Sequence, residues 1–487
     1  MVYVGGNAGM LHAFNAETGV EEFAFVPTAV FPYLNKLTGK GYTHQYYVDG
    51  TPTVADIYDK ENGKWRTILV GTLRAGGKGL FALDITDPEK ISLLWEFHEY
   101  SAEAVDLAIK PGYSFPKPTV ARLHNGRWAV VTGNGYKGEG TNNGGAALYI
   151  IDAITGKLTK SLEVTGETGE NGLSTPRLVD FDGDGVADYA YAGDLQGNLW
   201  RFDLLGGSAT GPDTNPPSNG SYGTKSDGIS KFQVSYNGSP MFKARSENGQ
   251  IQPITSAPSV IRHPTRLGYL VVFGTGRYVE IGDKEPNTSH AQSLYGIWDM
   301  QTKGQPTGAM TAPPINRSNM TQQSFVSETS GTGATTGTAR QARTVSNNPV
   351  EWYTDFNATK PIKQRGWYLD FNGGGLQGEI MVEDMRTLGN TLFLQTLIPN
   401  DDPCANGAGN WLYAINPSTG GRTLHHAFDT RGANDLILSG IQFGTEGGVS
   451  IGQDEEGYKA FAPGDLEPIS PDPSSLGRQS WRMIQNP

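Results

Sequence analysis

Four carboxylates crowd into the nine residues DFDGDGVAD, at Asp180, Asp182, Asp184 and Asp188. Two unit charges about 4 Å apart repel by roughly 1 kcal/mol in water and about 4 kcal/mol at an intermediate effective dielectric, so the cluster calls for a cation. Its spacing follows the first half of an EF-hand loop. Asp180, Asp182 and Asp184 stand at positions 1, 3 and 5, Gly185 at 6 for the sharp turn, and the Val186 carbonyl at 7. Position 12 breaks the pattern, with Tyr191 in place of a bidentate glutamate, so Asp188 must close the ligand set. Oxygen ligands in this number suit Ca2+ better than Mg2+, and without His or Cys in the loop zinc is disfavoured. Three readings stay open on the residues alone: a solvated acidic turn, an ion that braces the fold, and an ion whose occupancy regulates function.

No second constellation of this quality occurs. GGGLQG at Gly373 has the outline of a phosphate cradle, yet strand-like segments flank it and no helix follows, which reads as a hairpin turn. The eight histidines form neither HExxH nor metal-spaced pairs; His425 and His426 would point to opposite faces of a strand. No catalytic residue is assigned. The single cysteine, Cys404, excludes an internal disulfide and reads as a buried thiol or as a partner for a cysteine elsewhere in a longer protein.

The elements that must hold the acidic loop repeat along the chain. A leucine, an aromatic or His, and an apolar residue run into Asp or Asn six times: LHAFN at Leu11, LFALD at Leu80, LYIID at Leu148, LWRFD at Leu199, LYGIWD at Leu294 and LYAIN at Leu412. Each reads as a strand ending in an Asx turn. Upstream lie apolar strands such as ILVGT and YAYAG, and before these come proline-led strands: TPTVADI, KPTVARL, TPRLVDF and APSVIRH. A more variable fourth strand, such as LLWEF at Leu93, completes a four-stranded antiparallel unit.

Radial repetition of such units makes an all-β propeller, because closure protects many short sheet edges. Six units are clear, and a seventh is expected around RGWYLDF at Arg365 and EIMVEDM; six blades is the alternative. The segment SGIQFGTEGG from Ser439 is expected to pair with VYVGG and complete one blade from both ends of the chain. An immunoglobulin-like array would not give one strand pattern six times. The terminal Asx residues are 51 to 117 residues apart, whereas a blade needs about 40 to 50, so residues 205–250 and 301–362 are expected as insertions in one propeller domain spanning 1–487. Their Ser, Thr and Gly content leaves too few large apolar residues for a core.

Sixty-five glycines and 29 prolines without a Gly-X-Y period fit short strands and many turns. The net charge of −12 and the lack of a basic run argue against nucleic acid and anionic membrane as partners. No apolar stretch reaches the ~18 residues of a membrane span. Met1 opens directly onto a strand-like segment without signal-peptide features, as expected for a piece of a longer precursor.

LHAFNAETGVEEF resembles the tryptophan-docking repeat of quinoprotein propellers, with LYIIDAITGK and LYAINPSTGG as looser copies. The whole array, with DFDGDGVAD running into YAYAGDLQGNLWRFDL, resembles the C-terminal domain of the PilY1 (PilC-like) type IV pilus biogenesis factors and tip adhesins. That resemblance implies a modified seven-bladed propeller binding calcium through Asp180, Asp182, Asp184, Asp188 and the Val186 backbone oxygen. It further implies a non-enzymatic protein of the cell surface, at the pilus tip or outer membrane, whose calcium occupancy regulates pilus extension, retraction, twitching motility and attachment, and so virulence. Its partners would be pilin or minor pilins and host or abiotic surfaces. The family's variable N-terminal half is not expected in this chain, and no RGD triplet occurs in it. The docking repeats also allow an alternative, a dehydrogenase dependent on pyrroloquinoline quinone. One cysteine cannot form the vicinal disulfide common in such enzymes, and contiguous ligands in one interstrand loop fit a peripheral ion better than a channel cofactor.

Overall fold

The computed structural model describes residues 1–139, 145–164, 169–205, 229–300, 302, 312–353, 362–400, 409–443 and 448–473. Cys404 lies outside these residues, as do parts of the 205–250 and 301–362 stretches. The chain forms two compact units: Met1–Lys243 with Pro253–Thr255 and Gln301–Pro313, and Ala244–Gln252 with Ser256–Met300 and Pro314–Pro487.

In the first unit the repeat builds four antiparallel sheets. The second sheet shows the plan, with Thr53–Asp59, Lys64–Thr72, Gly79–Asp84 and Ser92–His98 pairing in chain order. The third repeats it with Thr119–Arg122, Trp128–Gly133, Ala146–Asp152 and Leu158–Val164. The fourth runs Arg177–Val179, Tyr189–Gly193 and Asn198–Asp203 before the short strands Gln233–Val234 and Phe242–Lys243. The repeat strands of the second, third and fourth sheets are buried on both faces, whereas Met10–Phe14 of the first alternates buried and half-buried residues. Leu69, Phe81 and Leu83 pack toward Leu11 and Tyr47, while Ile68, Val70 and Ala82 of the same two strands pack toward Val130, Tyr149 and Ile151 of the third sheet. The third and fourth sheets share a core of Val131, Leu148, Ile150, Ala190, Trp200 and Phe202.

The second unit adds a fifth sheet, with Ser259–Arg262, Tyr269–Gly274, Ser293–Asp299 and Gly366–Asp370, and a sixth centred on Thr391–Ile398 and Gly409–Ile415. A three-stranded meander, Ser450–Ile469, follows. Among the described residues six sheets carry the repeat strand, so the blade count is six.

The expected seventh unit is absorbed into the fifth sheet. Gly366–Asp370 pairs directly with Ser293–Asp299, and the Trp367 indole lies against Gly296, where a Cβ would approach it to 2.3 Å. EIMVEDM forms no strand beyond the isolated bridge of Ile380 to Leu397. The expected joining of the chain ends also fails. Gly440–Phe443 lies between Gly409–Ile415 and Ala339–Val345, so both of its edges are used within the sixth sheet. The first sheet has three strands, Val2–Gly6, Met10–Phe14 and Glu21–Phe25.

The 301–362 stretch is corrected as well. Thr321–Gln323 joins the fifth sheet, and Phe325–Gly333 and Ala339–Val345 form a long hairpin in the sixth. Its burial rests on arginines as well as on Phe325, Ala342 and Val345. Arg340 forks onto both carboxylate oxygens of Asp465 at 2.6 Å, and Arg343 is 1% exposed among Glu328, Glu379 and Tyr413. A planar, paired guanidinium can be buried where a lone charge cannot.

The Asx prediction holds at four repeats. Asn15, Asp84, Asp152 and Asn416 each accept a bond from a backbone N–H two residues on. Asp203 and Asp299 are buried instead, and Asp203 pairs with Arg201 at 3.0 Å. Among the described residues tryptophan docking is realised twice. The Trp95 indole donates to the Ala153 carbonyl at 3.0 Å and covers Gly156, while Trp367 donates to the Pro417 carbonyl at 3.2 Å and covers Gly420. Both glycines have φ of +70°, and any Cβ there would meet the indole.

In the fifth sheet region, His263 stacks on Trp298 at 4.0 Å and meets Trp352 edge-on at 4.2 Å. Burial pushes its imidazole down to about 3. The unfolded chain therefore takes up a proton near pH 6.5 that the native state refuses, and stability falls with pH below that point by about 1.4 kcal/mol per unit. Between pH 7 and pH 5, wild type is expected to lose about 2 kcal/mol more than His263→Phe in urea unfolding; parallel losses would remove this assignment.

Candidate metal-binding loop

The acidic loop joins Arg177–Val179 to Tyr189–Gly193, two adjacent strands of the fourth sheet paired from Arg177↔Tyr191 to Val179↔Tyr189. No EF-hand helices flank it; a strand on either side sets its span. At its exit Asp188 donates its N–H to the Val179 carbonyl at 2.9 Å, and Leu204 donates to the Asp188 carbonyl at 2.8 Å.

Backbone amides turn inward onto the carboxylates. Asp180 accepts from the N–H groups of Gly183, Asp184 and Gly185 at 2.6, 3.3 and 2.8 Å. Asp182 accepts from Asp184 at 3.2 Å, and Asp184 accepts from Val186 at 2.7 Å. The tight path needs φ of +82° at Gly183 and +81° at Gly185, where a side chain would be strained. Val186 and Ala187 anchor the far end by burial, and Ala187 donates to the Arg122 carbonyl at 3.0 Å.

Oxygens of Asp180, Asp182 and Asp188 come within 4.8 Å of one another. Asp184 stands outside this trio, its carboxylate turned to the Val186 amide. Asp188 is the fixed member: it is 4% exposed, one oxygen accepts from Phe181 N–H at 2.6 Å, and the other lies 2.8 Å from His124 Nε2. Desolvation, followed by repulsion from Asp184, Asp188 and Asp180, holds the Asp182 carboxyl above the usual carboxylate range. An all-oxygen set of this kind is chemically suited to a hard cation.

His124 escaped the sequence reading. It lies 64 residues from Asp188, in the LHNGR turn of the third sheet, and no spacing rule links them. The other candidates fall elsewhere. Gly373 of GGGLQG gives its carbonyl to Arg343 at 2.9 Å, so the motif makes an intramolecular contact with the hairpin of the sixth sheet. His425 and His426 lie outside strands; His425 Nε2 is 3.1 Å from the Ser470 carbonyl.

The model of the PilY1 beta-propeller domain matches residues 1–338. The chain belongs to the PilY1 β-propeller family. The type IV pilus biogenesis factor PilY1 of Pseudomonas aeruginosa strain PAO1 is 50% identical over 99% of this chain and 41% of its own length. A PilY1 homolog of Xylella fastidiosa is 36% identical over 100% of this chain and 35% of its own length. The crystal structure of the P. aeruginosa PilY1 C-terminal domain superposes with a TM-score of 0.82 at 47% identity, covering 97% of this chain and 93% of that one. The chain thus spans about two fifths of the length of the P. aeruginosa relative. Membership carries the propeller class, with the six blades described above. Among the described residues no helix is long and apolar enough to cross a membrane.

Proposed function

We propose that this chain is the propeller portion of a type IV pilus biogenesis factor and tip-associated adhesin, and that its 180–188 loop is a calcium-controlled element. The observation that carries the calcium reading is the approach of three carboxylates within 4.8 Å in a loop whose amides brace them. Asp180, Asp182, Asp184 and Asp188 would supply side-chain oxygens, and Val186 its carbonyl. Calcium bound there supplies the positive charge that cancels the carboxylate repulsion. The chain does the rest: Asp188 is held rigid by His124 and Phe181, Asp180 is held by three amides, and exposed Asp182 adjusts. Asp184 would have to share its oxygens between the Val186 amide and the ion.

The pilus role rests on the relatives, which are named for pilus biogenesis. In this reading the protein is exported to the cell surface, acts without catalysis, and meets pilin or minor pilins and the host or abiotic surface. A partner that contacts only one state of the loop would convert calcium occupancy into pilus extension or retraction, and hence into twitching motility and attachment. The quinone-dependent dehydrogenase gains no support from relatives so named.

Calorimetric titration of the 487-residue chain with Ca2+ tests the site. Asp180→Ala and Asp182→Ala are each expected to weaken binding roughly a hundredfold or more. Equal binding by wild type and both variants removes the loop from the account. The regulatory part is tested separately, by pilus retraction in cells whose full-length protein carries Asp182→Ala; normal retraction would limit calcium to bracing the fold.

A further inference from the structure

A second site lies in the first unit and shares no residue with the acidic loop. A cleft of about 490 Å³ opens beside the 3-10 helix Thr28–Thr38 and the turn at residues 75–77. Its volume falls within the range of small-molecule sites. Tyr33, Tyr46 and Tyr100 line it while 40%, 50% and 72% exposed, and folding alone gives no reason to leave three large rings in solvent around one concavity. A tyrosine offers an apolar face together with a hydroxyl, which suits a ligand that is itself amphipathic.

The charges in the cleft are balanced. Lys78 Nζ lies 2.9 Å from Glu139 and 3.6 Å from Glu99, and the Lys78 and Glu99 side chains are only 13% and 14% exposed. This lysine is already neutralised by its two carboxylates, so it offers no unpaired charge to an anionic ligand. Lys36, the other lysine, is exposed and lies 5.1 Å over the Tyr33 ring, and His98 lines the cleft as well. Two lysines against two acids leave little net field, yet the groups retain donors and acceptors at the rim, where Glu139 is 75% exposed.

The floor is preformed. A Cβ on Gly76 would meet the Tyr47 carbonyl oxygen at 1.8 Å, so the turn is pressed directly onto neighbouring backbone, and Gly76 N–H bonds to Leu73 at 2.8 Å. Little ordering is left for a ligand to impose.

We propose that this cleft binds an uncharged saccharide. The C–H faces of its rings would stack on the exposed tyrosines, and its hydroxyls would bridge the balanced Lys78 and Glu139 groups. Saturation-transfer NMR of the intact chain with neutral hexasaccharides (chitohexaose, cellohexaose, maltohexaose) tests this, with a heparin hexasaccharide and an acidic peptide as charged counterparts. At least one neutral sugar is expected to bind with little salt dependence, and Tyr100→Ala to weaken it about tenfold. Because the Tyr100 side chain is largely in solvent, that variant keeps the fold; Tyr46→Ala provides an independent second test. Asp182→Ala should leave sugar binding unchanged, which separates this site from the calcium loop. Absence of neutral-sugar binding, binding indifferent to both tyrosine variants, or a salt-sensitive preference for heparin or the peptide would overturn the proposal.

Discussion

Arg343→Leu is expected to lower the unfolding free energy by about 3–5 kcal/mol, the cost of leaving a buried charge without its partner. Arg343 is 1% exposed and directs Nη1 to Glu379 and the Tyr413 hydroxyl, each at 2.6 Å, Nε to Glu328 at 2.7 Å, and Nη2 to the Gly373 carbonyl at 2.9 Å. Its guanidinium carbon lies 3.7 Å from the centre of the Trp411 ring. Burial opposes its charge, and Tyr413 and Glu379 outweigh that effect. The critical partner is Glu379, 2% exposed, which without Arg343 keeps only the Thr396 and Tyr413 hydroxyls. Glu328 matters less because its side chain is 42% exposed. Arg343→Lys should rescue little, since a point charge cannot span these partners. Replacing both ions, as Arg343→Met with Glu379→Leu, should recover most of the loss. Urea unfolding followed by tryptophan fluorescence measures all three; a loss below about 1 kcal/mol for Arg343→Leu would show that the network is not fully desolvated.

Asp194→Ala is expected to cost about 2–4 kcal/mol by leaving several buried donors unmatched. This carboxylate is 0% exposed and accepts from Asn198 N–H at 2.8 Å, Asn198 Nδ2 at 2.9 Å, Trp200 Nε1 at 2.8 Å and Asn171 Nδ2 at 3.2 Å. Burial pushes its carboxyl up, while these donors pull the other way. Asp194→Asn should be no rescue, because an amide nitrogen would then face other donors. If Asn restores wild-type unfolding, one acceptor oxygen suffices at this site and the second carboxylate oxygen adds nothing to stability. The same hairpin leads back through Tyr189–Gly193 to the acidic loop, so calcium affinity should fall together with stability in Asp194→Ala.

Much of this was legible because it is local. A leucine, an aromatic or His, and an apolar residue running into an Asx residue identified the repeat strands, and Asn15, Asp84, Asp152 and Asn416 cap turns as their type demands. The GDLQGNLW signature was recognisable as a pattern, but its cause was not: Asp194 reaches Asn198 and Trp200 within one hairpin and Asn171 from outside it. The Ser/Thr-rich 301–362 stretch misled because composition counts large apolar side chains, whereas Arg340 and Arg343 are buried by acids 125 and 36 residues away.

The sequence by itself determined the propeller class, the repeat strands and the position of the acidic loop, since each depends on residues a few positions apart. Tertiary structure decided the partners. It placed Gly366–Asp370 and Gly440–Phe443 in the fifth and sixth sheets, reducing the blade count to six, because near-identical strands are interchangeable on paper and only side-chain fit, such as Trp367 on Gly296, selects among them. It also gathered Asp180, Asp182 and Asp188, turned Asp184 aside, and set His124 against Asp188. Spacing can bring carboxylates into one loop; the direction each one faces depends on which amide or imidazole reaches it first.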